Sequence, residues 1–111
     1  YECVMGFSRE EKWFEQYVEW AKVAAPWLKK HLDVIDFWVD DGIQAELDGS
    51  DPQLSPHGQP NVTWIIRYVD KKDRDKKLSA AMEHPEWREI WSKHPNVDAY
   101  IVVNARFMKS L

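Results

Sequence analysis

The sequence of 111 residues predicts an α+β fold in which one antiparallel sheet carries helices on one face. Three observations lead there. Four segments rich in β-branched and aromatic residues, "YECVMGFS", "LDVIDFWV", "VTWIIRYV" and "VDAYIVVNARF", punctuate the chain. Helical patterns fall between the first and second and between the third and fourth. The resulting order, βαβ(β)–loop–βααβ, builds a sandwich of the ferredoxin-like type. One domain over residues 1–111 is the natural reading at this length.

Each element has a local cause. "YECVMGFS" alternates Tyr1, Cys3, Met5 and Phe7 with Glu2, Val4, Gly6 and Ser8, as a strand does. "SREE" then offers a capping box, Ser8 to the Glu11 amide, so a helix starts near Arg9. Its apolar rows are Trp13, Tyr17, Trp20, Ala24 and Trp27, and Phe14, Val18, Ala21, Ala25 and Leu28; Lys12, Glu15, Gln16, Glu19 and Lys22 oppose them. Residues seven apart drift only about 20° around a helix, so Trp13 and Trp20 share a side. Pro26 removes a donor and crowds the preceding turn, which predicts a kink or an end near Ala25. Trp27 is then expected to leave the stripe and lean over a cavity mouth.

After the second strand, "DDG" predicts a turn and "IQAEL" a short returning arm. "DGSDPQLSPHGQPN" is a long Pro- and Gly-punctuated loop, of a length that is often functional, and a lid is its expected role. Asp70 is placed to cap a charged helix running through Leu78, Ala81 and Met82. Pro85 suits the first position of a further helix, on which Trp87 and Trp91 face the same way.

Composition excludes several functions. Net charge is near −4, with no strongly basic face, so nucleic acid is not the expected partner. "DKKDRDKK" reads as a solvated helix surface. Cys3 is the single cysteine, which rules out an intrachain disulfide and a Cys-based zinc site and fits a cytoplasmic setting. No apolar run approaches the ~20 residues that span a bilayer, and no signal peptide is visible. A nucleophile elbow, a phosphate-cradling glycine loop and a dinucleotide fingerprint are absent, so no cofactor is expected.

"NVTWIIRYVDKKDRDKKLSAAMEHPEWREIWSKHP", followed by a terminal strand ending "NARF", resembles the NIPSNAP-type domains of the dimeric α/β-barrel superfamily. The match lies in the sequence of an apolar strand, a charged helix, the "HPEW" step and a final strand. The long loop and the tryptophan-rich first helix depart from the pattern. The resemblance implies a homodimer in which two sheets press into a shared barrel. It also implies a cavity between sheet and helices for a small apolar molecule. Cofactor-free monooxygenases, isomerases and haem-handling proteins share that superfamily; the Asn–Trp–His set of the haem-degrading members has no counterpart here.

Strand alternation sorts the candidates. Met5, Phe7, Ile35, Phe37, Trp64, Ile66, Tyr68, Ile101 and Val103 form an apolar register expected beneath the helices. Glu2, Asp36, Trp38, Thr63, Arg67, Tyr100, Asn104 and Arg106 form a mixed one. There Glu2 and Asp36 are expected to pair with Arg67 and Arg106 across a dimer. Trp20, Trp27, Phe37, Trp64 and Trp87 are the expected wall of an aromatic site. Three indoles on one helix exceed what a small sheet easily covers; pocket wall, subunit seam and plain core all remain open. Arg67, Tyr68 and His84 are the candidates to orient and polarise a substrate, His84 because the resemblance sets its corner near the cavity mouth. None of the four histidines falls in an "HExxH" pair or shares helical spacing with a carboxylate, so no metal is expected. The competing reading is a non-catalytic module whose exposed tryptophan rows bind a protein.

Overall fold

The computed structural model describes residues 2–7, 11–52 and 60–111, with side chains from Trp13 onward. Ser8, His57 and most of the proline-rich loop lie outside the described residues, as do the capping box and the lid expected of them. The elements run β1 (Glu2–Phe7), α1 (Glu11–His31), β2 (Val34–Val39), β3 (Val62–Ile66), α2 (Lys71–Glu83), α3 (Pro85–Ser92) and β4 (Tyr100–Arg106). A 3-10 turn, Val97–Ala99, precedes β4. All neighbouring strands are antiparallel, in the order β2-β3-β1-β4, which is compatible with the ferredoxin-like βαββαβ motif.

The core explains the arrangement. Val62, Trp64 and Ile66 alternate along β3 and are buried; Thr63 and Ile65 point the other way and are half-buried. Against the buried face pack Tyr17, Ala21, Ala24, Trp27 and Leu28 of α1, Ala81 of α2 and Trp87 of α3. No helix among the described residues covers the opposite sheet face, and Trp38 there is 44% exposed.

Local chemistry sets the helix ends. Asp70 caps α2 by accepting the Asp73 amide at 2.8 Å, while Asp73 reaches back to accept the amide of Val69, the residue before the cap, at 3.0 Å. Pro85 takes the first turn of α3, where its missing donor costs nothing. Lys29, Lys30 and His31 fill the last turn of α1, where the helix dipole favours cations.

Three expectations need correction. First, α1 continues through Pro26 to His31. Pro26 and Lys22 are exposed, so the Lys22 carbonyl that loses its helical donor lies on the solvent side. Trp27 therefore stays in the stripe and is buried. Second, "IQAEL" forms no strand. Asp40 and Asp41 accept the amides of Gly42 and Ile43 at 3.2 and 3.0 Å, drawing off donors that a hairpin ladder would use. Third, the registers shift. An irregularity between Val34 and Asp36 turns Ile35 outward, and another at Gly6/Phe7 lets Tyr100 turn toward the core cluster. Ile101 and Val103 are exposed because β4 is an edge strand beyond the helical cover.

Candidate functional site

The "HPEW" corner ties α3 to the end of α1. His84 is the N-cap, its Nδ1 accepting the Glu86 amide at 3.1 Å. Glu86 reaches across to accept the Trp27 indole N–H at 2.9 Å. Trp87 is buried with its ring 5.4 Å from that of Trp27. One turn beyond Trp27, His31 stacks on the indole at 3.9 Å between ring centres and donates from Nδ1 to the Trp27 carbonyl at 2.9 Å. His31, His84 and Glu86 each present a ligating atom within 4.8 Å of the others. The indole N–H and, less strongly, the neighbouring imidazoles and Lys30 hold the Glu86 carboxyl below its usual range.

Behind the corner lies an aromatic cluster. Trp20 stands edge-on to Trp87, Trp91 and His94, and its indole donates to the Ile90 carbonyl at 2.8 Å. His94 takes the Asn96 amide on Nδ1, which leaves the neutral ring's proton on Nε2 to donate to the Tyr100 hydroxyl at 2.7 Å. Burial among these rings lowers the His94 pKa to about 4.

These contacts decide where the expected aromatic wall goes. Trp27, Trp64 and Trp87 are buried, and Trp20 and Phe37 are half-buried against the same core. Phe37 packs on Trp64 at 5.8 Å. The space between sheet and helices is filled by such side chains, with Tyr17, Val62 and Ile66 fully buried at its centre. The Trp64 indole N–H is buried without a hydrogen-bond partner among the described residues.

Arg67 and Tyr68 lie elsewhere. They line a depression of about 850 Å³ where β3 ends, α2 begins and the chain leaves β4. Ile35, Ile65, Ile66, Val69, Phe107 and Met108 give it an apolar lining, and Arg67, Lys71, Arg74 and Lys109 line it together with one acid, Asp70. Arg74 lies 4.9 Å above the Phe107 ring and pairs with Asp75 at 2.7 Å. His84 is not among the lining residues, so the expected trio is divided between two places.

The expected ion pairs also change partners. Arg67 sits 3.8 Å from Asp33, and Asp36 pairs with Lys29 at 3.0 Å. The Phe37 amide, then Lys29, holds the Asp36 carboxyl below its usual range. Glu2 lies opposite Arg106 in the register of a single chain. Neither the Arg67–Asp33 nor the Asp36–Lys29 pair requires a second subunit.

Sequence reasoning missed His31 and Glu86 because they come from separate helices and meet only across the corner. It also missed Lys71 and Arg74, which "DKKDRDKK" presented as ordinary solvated charges. No protein-family model, curated protein or solved structure matches the chain. No helix among the described residues is long and apolar enough to cross a membrane.

Proposed function

We propose that the chain is a binding module for a small apolar or aromatic molecule carrying an anionic group, held in the depression lined by Arg67 and Tyr68. The observation that carries this reading is an apolar depression lined by four cations, in a chain whose net charge is −4. Two of the four, Arg67 and Arg74, already face Asp33 and Asp75 and would exchange those carboxylates for the ligand's. An apolar lining gains from burying hydrocarbon, while guanidinium groups bind carboxylates in a fork that fixes orientation. The volume is that of a small-molecule site. The reading is one of binding; Tyr68, Asp70 and Lys71 line the same depression and are the groups that would act on a bound substrate if turnover occurs.

The module acts as a homodimer of the dimeric α/β-barrel kind. The uncovered sheet face supports this, since Trp38 and Val102 are exposed on a surface that a second sheet would bury. The resemblance of the "HPEW" region to NIPSNAP-type domains points the same way. The competing protein-docking reading would rest on exposed tryptophans: on the first helix Trp27 is buried and Trp13 and Trp20 are half-buried, while Trp38 and Trp91 are exposed.

Calorimetric titration with naphthoate and with neutral naphthalenemethanol tests the binding reading. Naphthoate binds the parent, and Arg67→Gln with Arg74→Gln weakens it about tenfold, the cost of one charge-assisted hydrogen bond at ~1.4 kcal/mol. Equal affinity for both compounds, or no loss in the double variant, contradicts the reading.

A further inference from the structure

We infer that His31, His84 and Glu86 form a binding site for a divalent transition cation of the Zn2+ class, clipping the end of α1 to the start of α3. This inference is independent of the depression at Arg67 and Tyr68. Two imidazoles and one carboxylate are a donor set that suits such a cation and leaves a coordination position open. Their ligating atoms already lie within 4.8 Å of one another, and His31 and Glu86 are exposed. Modest rotations bring them to the distances of about 2.0–2.2 Å that a bound zinc ion takes.

Hydrogen bonds prepare two of the three ligands. Because His31 Nδ1 donates to the Trp27 carbonyl, its proton is fixed there and Nε2 presents a lone pair. Metal-binding histidines are typically oriented by that outer-shell bond. Glu86 is held by one oxygen, Oε2, on the Trp27 indole, leaving Oε1 to ligate. His84 is the ligand that has to change. Its Nδ1 accepts the Glu86 amide, so binding through either nitrogen ends that cap, and the exposed start of α3 turns the amide to water. Among the described residues Lys30 is the further charged group that acts on Glu86, and it opposes the cation.

Titration of the full chain, stripped with a chelator, with zinc chloride tests the inference. One zinc ion binds per chain, and the melting temperature rises with zinc concentration, as for any ligand of the folded state. His31→Gln, His84→Asn and Glu86→Gln each weaken binding at least tenfold. The Asn keeps a good helix cap and the Gln keeps an acceptor for Trp27, so both substitutions spare the fold. Binding also weakens as pH falls, because protons compete with the cation for the same lone pairs. A second reading needs no variant: paramagnetic Co2+ broadens amide signals of the unmodified chain around His31, His84 and Glu86. Absence of zinc binding, three variants that bind like the parent, or broadening centred elsewhere overturns the inference.

Discussion

The Trp27 indole donates to Glu86 Oε2 at 2.9 Å, across 59 positions of sequence. This bond joins the tryptophan series of the first helix to the "HPEW" step of the third. Trp27 is buried, stacked on His31 and packed against Trp87. Trp27→Ala should therefore cost about 3–5 kcal/mol of stability in urea unfolding, as large-to-small core changes do. Trp27→Phe, which keeps the ring but not the donor, should cost less. A loss under 1 kcal/mol in the Ala variant would mean that Trp27 is not core.

Glu86 makes the corner sensitive to acid. Its folded-state pKa is lowered, so its contribution to stability is present above the unfolded carboxylate range and is lost as pH falls through the folded value. The Glu86 carboxyl should titrate below an ordinary glutamate by NMR. In Glu86→Gln this part of the acid response should disappear, and Trp27 fluorescence should no longer follow it.

His94 works in a higher window. Burial lowers its pKa to about 4 from an unfolded value of 6.5, so between these two the unfolded chain binds more protons. Stability should fall as pH drops from 6.5 toward 4. His94→Gln should flatten that segment of the melting-temperature profile. An imidazole titrating near 6.5 by NMR would contradict the burial argument.

Pro26 interrupts a helix that continues on both sides of it. Restoring the amide should help, because proline is about 3 kcal/mol worse than alanine inside a helix. Pro26→Ala should raise stability by about 1–3 kcal/mol, less any gain proline makes by stiffening the unfolded chain. A lower melting temperature would show that the proline ring makes packing its exposure conceals.

The sheet face offers the test of assembly. Trp38→Glu puts a charge where a second sheet would pack, without touching the core that Val62 and Trp64 define. Light scattering should give twice the chain mass for the parent and the chain mass for this variant. A monomeric parent would remove the barrel.

Regular elements were legible where period and caps agreed. Asp70 and Pro85 announced α2 and α3, and alternation announced β3. Pro26 misled because a proline on an exposed helical face is tolerated where the core stripe on either side continues. Ile35 misled because a strand irregularity inverts a register that strict alternation assumes. The candidate sites were less legible. Arg67 and Tyr68 were recognisable from their strand, but Arg74 and Phe107 approach them only in the fold. His31 and Glu86 carry no spacing signal, because their proximity depends on how α3 docks on α1.

Amide-shift mapping tests the binding reading most directly. With naphthoate added to isotope-labelled protein, shifts should concentrate at Arg67–Arg74 and at Phe107–Ser110, which enclose the depression. They should be absent around Glu15, Trp20 and Glu89, which line the acidic groove between α1 and α3. Shifts concentrated in that groove, or spread evenly over the surface, would contradict the account.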